Sequence, residues 1–340
     1  MESDSSDTAL NGRQPRVLLI APMRNEGAAL LEWVAWQHLL GFDDILVLTN
    51  DCSDGSDRLL DRLAARGYLA HARHQPAEGE FALRSAFRTA KAHPLVETAD
   101  WVMICDADEF PVIHLGEGQI HDLIAAHGDS ALGIALHWKS FGDNGRQRWE
   151  DGFVRQLYTR AAEGQHRANM RFKSVFRAPG MFAGFASHAP FGFQGRWGGR
   201  NRWVNSMGEP LPGCVLMGEA RARATALRRI NHGGGQINHY VIKAQECTLE
   251  RRAKWALSDR DARYGEEFLA RYNINAAEDR SALQREAAFQ EIYDALIADP
   301  ETRRLHHLAC AWYAGKLAEL QGQEPDADPR VRRHRAAAAS

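Results

Sequence analysis

The feature that most constrains this 340-residue chain is a rhythm in its first 105 residues. Short apolar runs alternate there with stretches whose apolar residues recur at helical spacing. Val17-Leu-Leu-Ile-Ala21 is a β run ended by Pro22. Residues 28–40 follow, with Leu31, Val34, Ala35 and Leu39 on one helical face, and Gly41 stops them. Asp44 to Thr49 predicts a second strand, and Asn50 to Gly55 a polar turn. Ser56 is placed to cap a helix running to Ala65, closed by Gly67. Residues 68–72 read as a third strand, 82–92 as a helix and 101–105 as a fourth strand. This order predicts an α/β fold, a mostly parallel mixed sheet with flanking helices. Right-handed crossovers gather the strand ends at one edge, where open sheets bind ligands. Three polar segments go to that edge: Pro22 to Gly27, Asn50 to Gly55 and Asp106 to Glu109.

The second half is less regular. Residues 131–138, 154–158 and 173–177 read as strands. Residues 180–236 are rich in Gly, Arg and Trp without a period, which points to a functional loop or lid. Residues 244–257, 281–297 and 300–320 read as helices. With 42 Lys and Arg against 44 Asp and Glu, no overall field draws the chain to nucleic acid. No apolar run approaches the ~20 residues that span a bilayer. The Ser/Asp-rich start lacks a signal-peptide layout, so the expected compartment is cytoplasmic. The five cysteines stand singly with no CxxC, which indicates neither a disulfide framework nor a zinc knuckle. Residues 1–14 and 326–340 are expected to be disordered, and 258–325 to form a helical extension.

Asp106-Ala-Asp108-Glu109 is the sharpest chemical signal, because it follows an apolar strand. Carboxylate oxygens there suit Mg²⁺ or Mn²⁺, which can stabilise a departing diphosphate. The plain alternative is a solvated acidic turn. Pro22, Arg24, Asn25 and Glu26 follow the first strand, and Arg24 suits a phosphate. They also fit a simple helix-entry loop. In Asn50-Asp51-Cys-Ser-Asp54-Gly-Ser56, turn and cap roles satisfy Asp54 to Ser56, leaving Asn50 and Asp51 for a nucleoside. Lys173 and Arg177 share one face of a strand and suit a phosphate or a solvated surface, with His188 nearby in the chain. His239, before Tyr240-Val-Ile-Lys243, can complete an Asp/His metal set or merely pack.

Taken in order, these pieces resemble a family. They are Arg24-Asn-Glu26 with Leu31-Glu-Trp33, Gly41-Phe42, Asn50 to Ser56, Ala99-Asp-Trp101 to Phe110, Phe141-Gly142, Lys173 to Arg177 with His188, and His239 to Lys243. The chain looks like the glycosyltransferase family 2-like proteins, in the branch related to family 92, over about residues 16–257. The resemblance implies a GT-A fold, with 15–111 the nucleotide-sugar half and 112–257 the acceptor half. It implies a nucleotide-diphosphate-sugar donor, a hydroxyl of a glycan or other acceptor, and transfer with inversion. It further implies a divalent metal, Mn²⁺ or Mg²⁺, flanked by Asp106 and Asp108, with His239 reaching the metal or diphosphate. The helix at 82–90 departs from the family pattern at Leu83 and Phe87, and Arg84 is the nearest polar substitute. Asp143, ahead of Glu150 and Asp151, is the expected general base. Two rivals stand beside this reading. One is a sugar nucleotidyltransferase, whose Gly-rich first loop is missing here. The other is a non-catalytic glycan-binding protein using Trp197 and Trp203 as platforms.

Overall fold

The computed structural model describes residues 13–199, 201–211, 227–256 and 265–340. The first half follows β1 (Val17–Met23), α1 (Gly27–Leu39), β2 (Asp44–Thr49), α2 (Ser56–Ala65), β3 (Ala70–Arg73), α3 (Ala82–Lys91), α4 (Pro94–Thr98) and β4 (Trp101–Ile104). Then come β5 (Glu109–Ile113), α5 (Ile120–His127), β6 (Gly133–Ser140), α6 (Val154–Leu157), β7 (Arg160–Ala161) and β8 (Phe172–Arg177). The chain continues through β9 (Phe182–Gly184), β10 (Phe191–Phe193), β11 (Trp203–Asn205) and β12 (Gly235–His239). It ends with α7 (Cys247–Ala256), α8 (Glu266–Tyr272), β13 (Ala277–Glu278), α9 (Glu286–Ile297), α10 (Pro300–Leu320) and α11 (Pro329–Ala339).

The main sheet has the order β3-β2-β1-β4-β8-β6-β12-β5, with β11 beside β6. Strands β1 to β4 pair in parallel, whereas β8 runs antiparallel to both β4 and β6. The fold is therefore α/β around a mostly parallel mixed sheet. Strand β1 is a continuous apolar run because both of its faces are covered. Val17, Leu19 and Ala21 join the core under α1 and α2, while Leu18 and Ile20 join the one under α3. Gly41 and Gly67, expected to stop helices, stand at φ +77° and +80°, where a Cβ would be strained.

Three expectations fail. Residues 154–158, expected as a strand, form the helical turn α6. The buried Glu32 carboxylate accepts from the Val154 and Arg155 amides at 2.7 and 3.1 Å, satisfying the free N–H groups of a helix start. The Arg155 guanidinium also pairs with Glu32 and lies 3.7 Å from the Phe289 ring centroid. Second, the chain end expected to be disordered is α11. Asp328 caps it and Pro329 occupies its first turn. Val331 and His334 are buried, and Arg330 donates to the Trp149 carbonyl and pairs with Glu246. Third, the segment expected to be irregular contains the β9–β10 hairpin, β11 and β12. Residues 212–226, the rest of the expected lid, lie outside the described residues, as do residues 1–12 of the expected disordered start.

Helix α10 packs against α1 so closely that a Cβ on Gly27 would lie 2.6 Å from the Ala309 Cβ. The C-terminal helices therefore brace the loop that leaves β1. Among the described residues, no helix is long and apolar enough to cross a membrane.

Candidate active site

The parallel strands deliver their loops to one edge, as the sequence predicts. After β1, Asn25 adopts φ +56° and locks this loop to the next one. Its Oδ1 accepts from the Ser53 amide at 2.7 Å, and its Nδ2 donates to Ser53 Oγ at 3.0 Å. Asp54 accepts from the Gly27 and Ser56 amides, each at 2.8 Å, so it holds its own turn and the start of α1, while α2 has no side-chain cap. Asp51 is exposed and accepts from Asn50 Nδ2 at 2.8 Å.

After β4, the chain turns through Asp106-Ala-Asp108 directly into β5, a strand the sequence reading did not anticipate. β5 pairs antiparallel with β12, and the register sets His239 opposite Glu109. The Tyr240 amide donates to the Asp108 carbonyl at 2.8 Å. Backbone pairing thus brings a histidine from far along the chain beside the acidic turn. His239 Nε2 stands 3.9 Å from Asp108 Oδ1, and its ring stacks on Trp138 with centroids 3.9 Å apart. Its Nδ1 is buried without a hydrogen-bond partner among the described residues. Burial lowers this imidazole to about 4, against the pull of Asp108, so it is neutral at pH 7.

Each acid of the turn has its own cation. Lys173, wholly buried on β8, donates to Asp106 Oδ2 at 2.9 Å and pairs with Glu109 Oε2 at 2.9 Å. Burial disfavours the charged amine, but the two carboxylates outweigh that and hold it protonated. Glu109 is fully buried and accepts from Trp138 Nε1 and the Asp106 amide, both at 2.8 Å. Burial pushes its carboxyl up, with Lys173 pulling the other way. Arg251, on α7, donates to Asp108 Oδ2 at 2.9 Å. Burial would raise Asp108, but Arg251, the largest opposing influence, holds it well below the usual carboxylate range.

These groups open onto a cavity of about 1750 Å³. Of the residues expected at the site, Pro22, Arg24, Asn25, Glu26, Asn50, Arg84, Asp106, Asp108, His239 and Lys243 line it. Lys173 stands behind Asp106 rather than on the wall. Asp51, at φ +47°, does not line the cavity and is exposed beside Asn50. Lys243 reaches the wall from the segment before α7, not from a helix.

Arg177 is not at this site. β8 runs antiparallel to β4, so Arg177 pairs with Trp101 at the opposite edge and donates to Asn201 at 3.5 Å. Asp143 is also elsewhere. Its carboxylate is buried and accepts from the Gly145 amide at 2.8 Å and from Asn273 and Asn275 Nδ2 at 2.8 and 3.2 Å. Asp143, expected as the general base, accepts these three hydrogen bonds inside the fold, where it anchors its loop, and does not line this cavity. Glu150 pairs with Arg146, whereas Asp151 reaches the cavity wall. Trp203 is buried over Gly133 and is no sugar platform; Trp197 remains exposed.

The sequence reading missed Trp138 and Arg251, and it named Glu109 only as part of the acidic motif, without a role. Strand alternation after Asp108 already turned Glu109 inward. No local signal tied Arg251 to Asp108, 143 residues away.

No protein-family model and no curated protein matches this chain. Among solved structures, residues 1–349 of S. aureus TarS are similar at 13% identity and a TM-score of 0.34, covering 95% of this chain and 90% of that one. The same fragment in complex with UDP gives 11% and 0.31 over the same shares. Glucosyl-3-phosphoglycerate synthase from Mycobacterium tuberculosis, in complex with Mn²⁺, UDP-glucose and phosphoglyceric acid, gives 14% and 0.25. That match covers 48% of this chain and 57% of the synthase. Likeness at this level fixes neither family nor activity.

Proposed function

We propose that this protein is a glycosyltransferase of the family 2-like, GT-A type. It moves a sugar from a nucleotide-diphosphate donor to a hydroxyl of a glycan or other acceptor, with inversion. The observation that carries this reading is the convergence of Asp106, Asp108 and His239 on one large cavity at the C-terminal edge of parallel strands. Pro22 to Glu26 and Asn50 form the nucleoside side. Arg84 and Lys243 supply positive charge for the diphosphate. Residues 15–111 form the donor half and 112–257 the acceptor half of a cytoplasmic enzyme.

The donor set suits a divalent cation such as Mn²⁺ or Mg²⁺: two carboxylates and a neutral imidazole face the same space. Asp106, Asp108 and His239 are the residues that would hold it, and bound there it would neutralise charge on the leaving diphosphate. Lys173 and Arg251 orient the two carboxylates, Arg251 holds Asp108 ionised, and Trp138 holds the His239 ring by stacking. A carboxylate on the cavity wall other than Asp143 takes the acceptor proton.

A thermal-shift panel of nucleoside diphosphates, each with and without Mn²⁺, tests this reading. A ligand at 100 times its Kd stabilises the native state by about 2.7 kcal/mol. At least one nucleoside diphosphate is expected to raise the Tm, and more so with Mn²⁺. No shift with any nucleotide at millimolar concentration would remove the donor assignment.

A further inference from the structure

A second cluster of metal-ligating side chains lies outside the cavity just described, where α10 and α11 meet the loop at residues 149–153. Asp151, His306 and Cys310 each offer a ligand atom there, and these atoms lie within 4.8 Å of one another. His306 and Cys310 are one helical turn apart on α10 and so share a face. His306 Nε2 stands 3.6 Å from Cys310 Sγ. On α11, His334 Nε2 stands 3.6 Å from Asp151 Oδ2. A tetrahedral zinc site, with Zn–N near 2.0 and Zn–S near 2.3 Å, has ligand–ligand edges of about 3.3–3.7 Å. Both separations fall in that range, and 3.6 Å is long for a hydrogen bond from nitrogen to oxygen.

The burial pattern is independent of those distances. His334 is 1% exposed, and its Nε2 has no hydrogen-bond partner among the described residues. A buried imidazole nitrogen left unpaired is costly, and a metal would relieve the cost. The far side of the His334 ring is arranged as a ligand's would be: its Nδ1 meets His307 Nδ1 at 3.1 Å, whereas His306 Nδ1 is buried without a hydrogen-bond partner among the described residues. Partners of this kind fix the tautomer and orientation of a metal-bound histidine. A small cavity of about 40 Å³, lined by Asp151, His306 and Ala28, adjoins the cluster. Arg333 Nη2, 3.7 Å from Asp151 Oδ2, is the competing cation. Its side chain is 60% exposed, so it is free to swing into solvent.

We propose that Asp151, His306 and Cys310 bind a zinc ion and that His334, which adjoins the cluster through Asp151, turns in as its fourth ligand, clamping α10 and α11 to the loop at residues 149–153. A thiolate and imidazoles favour Zn²⁺ over Mg²⁺ or Mn²⁺. On binding, Cys310 gives its thiol proton to water and the histidines ligate as neutral rings. Asp151 and Gly152 also line the large cavity, and Ala28 lines both cavities, so the clamp sets the position of one cavity wall.

Titration of the metal-free full chain with Co²⁺ tests the site by spectroscopy. The expected result is a thiolate-to-cobalt charge-transfer band with tetrahedral ligand-field bands, saturating at one equivalent and displaced by Zn²⁺. Cys310→Ser is expected to abolish the charge-transfer band. His307→Ala, which removes a supporting partner, should weaken the metal about 10–100-fold. Asp108→Asn should leave the band intact, which separates this site from the cation site in the large cavity. Absence of the band in the wild-type chain overturns the proposal without any need for a variant to fold. Persistence of the band in Cys310→Ser also overturns it.

Discussion

Asp108 and Asp143 are both carboxylates just past an apolar strand, and both are largely buried, yet the fold uses them in opposite ways. Asp108 gives one oxygen to Arg251, has His239 3.9 Å from the other, and faces a large cavity. Asp143 is enclosed by two asparagine amides and a backbone N–H. The difference lies in how a buried charge is compensated. Neutral amide donors take three of the roughly four acceptor sites of Asp143, and the carboxylate has no face on the cavity. Asp108 and Asp106 are instead paired with Arg251 and Lys173, and both still line the cavity. A carboxylate ready for a ligand is thus one that is paired with a cation and still lines the cavity.

The contrast breaks most severely at Lys173. Lys173→Met leaves Glu109 and Asp106 without the ammonium between them, and removing one partner of a buried pair costs about 3–5 kcal/mol. Chemical denaturation should show that loss, and Lys173→Met combined with Glu109→Gln should recover part of it. No recovery would mean that Lys173 acts through packing rather than charge.

A smaller effect comes from the imidazoles. Burial lowers His137, His232, His239 and His306 to about 4, whereas in the unfolded chain they titrate near 6.5. Between those values the unfolded chain binds more protons than the folded one, so stability falls as pH falls. The account expects stability of the metal-free protein to drop between about pH 6.5 and 4. His239→Gln should flatten that slope while keeping the fold. An unchanged slope would show that the ring beside Asp108 is not buried as described.

Much of residues 15–111 was legible because its signals are local. The bounds of β2 and α2 match the expected ones, since strand and helix periods and a glycine stop act over a few residues, although Gly55 rather than Ser56 is the N-cap of α2. α11 was not legible, because its Arg/Ala-rich composition argued for disorder, and only burial against α10 decides the matter. The failures are long-range. Alternation correctly placed Lys173 and Arg177 on one face, yet the antiparallel pairing of β8 sends them to opposite edges. Nothing near Asp143 announces Asn273 and Asn275, which come from about 130 residues further on. The nearness of His239 to Asp108 was expected from family resemblance, while its cause, the β5–β12 register, appears only in the fold.

The central claim is that Asp108, and not Asp143, serves the ligand. Calorimetry of a nucleoside diphosphate chosen from the panel, with and without Mn²⁺, tests it on the wild type, Asp108→Asn and Asp143→Asn. The account predicts that Asp108→Asn loses the Mn²⁺-dependent part of the affinity while the fold survives. Asp143→Asn should bind as the wild type does, with stability lowered by about 1–3 kcal/mol through its disturbed amide cage. Unchanged Mn²⁺-dependent binding in Asp108→Asn, or its loss in a folded Asp143→Asn, would contradict the account.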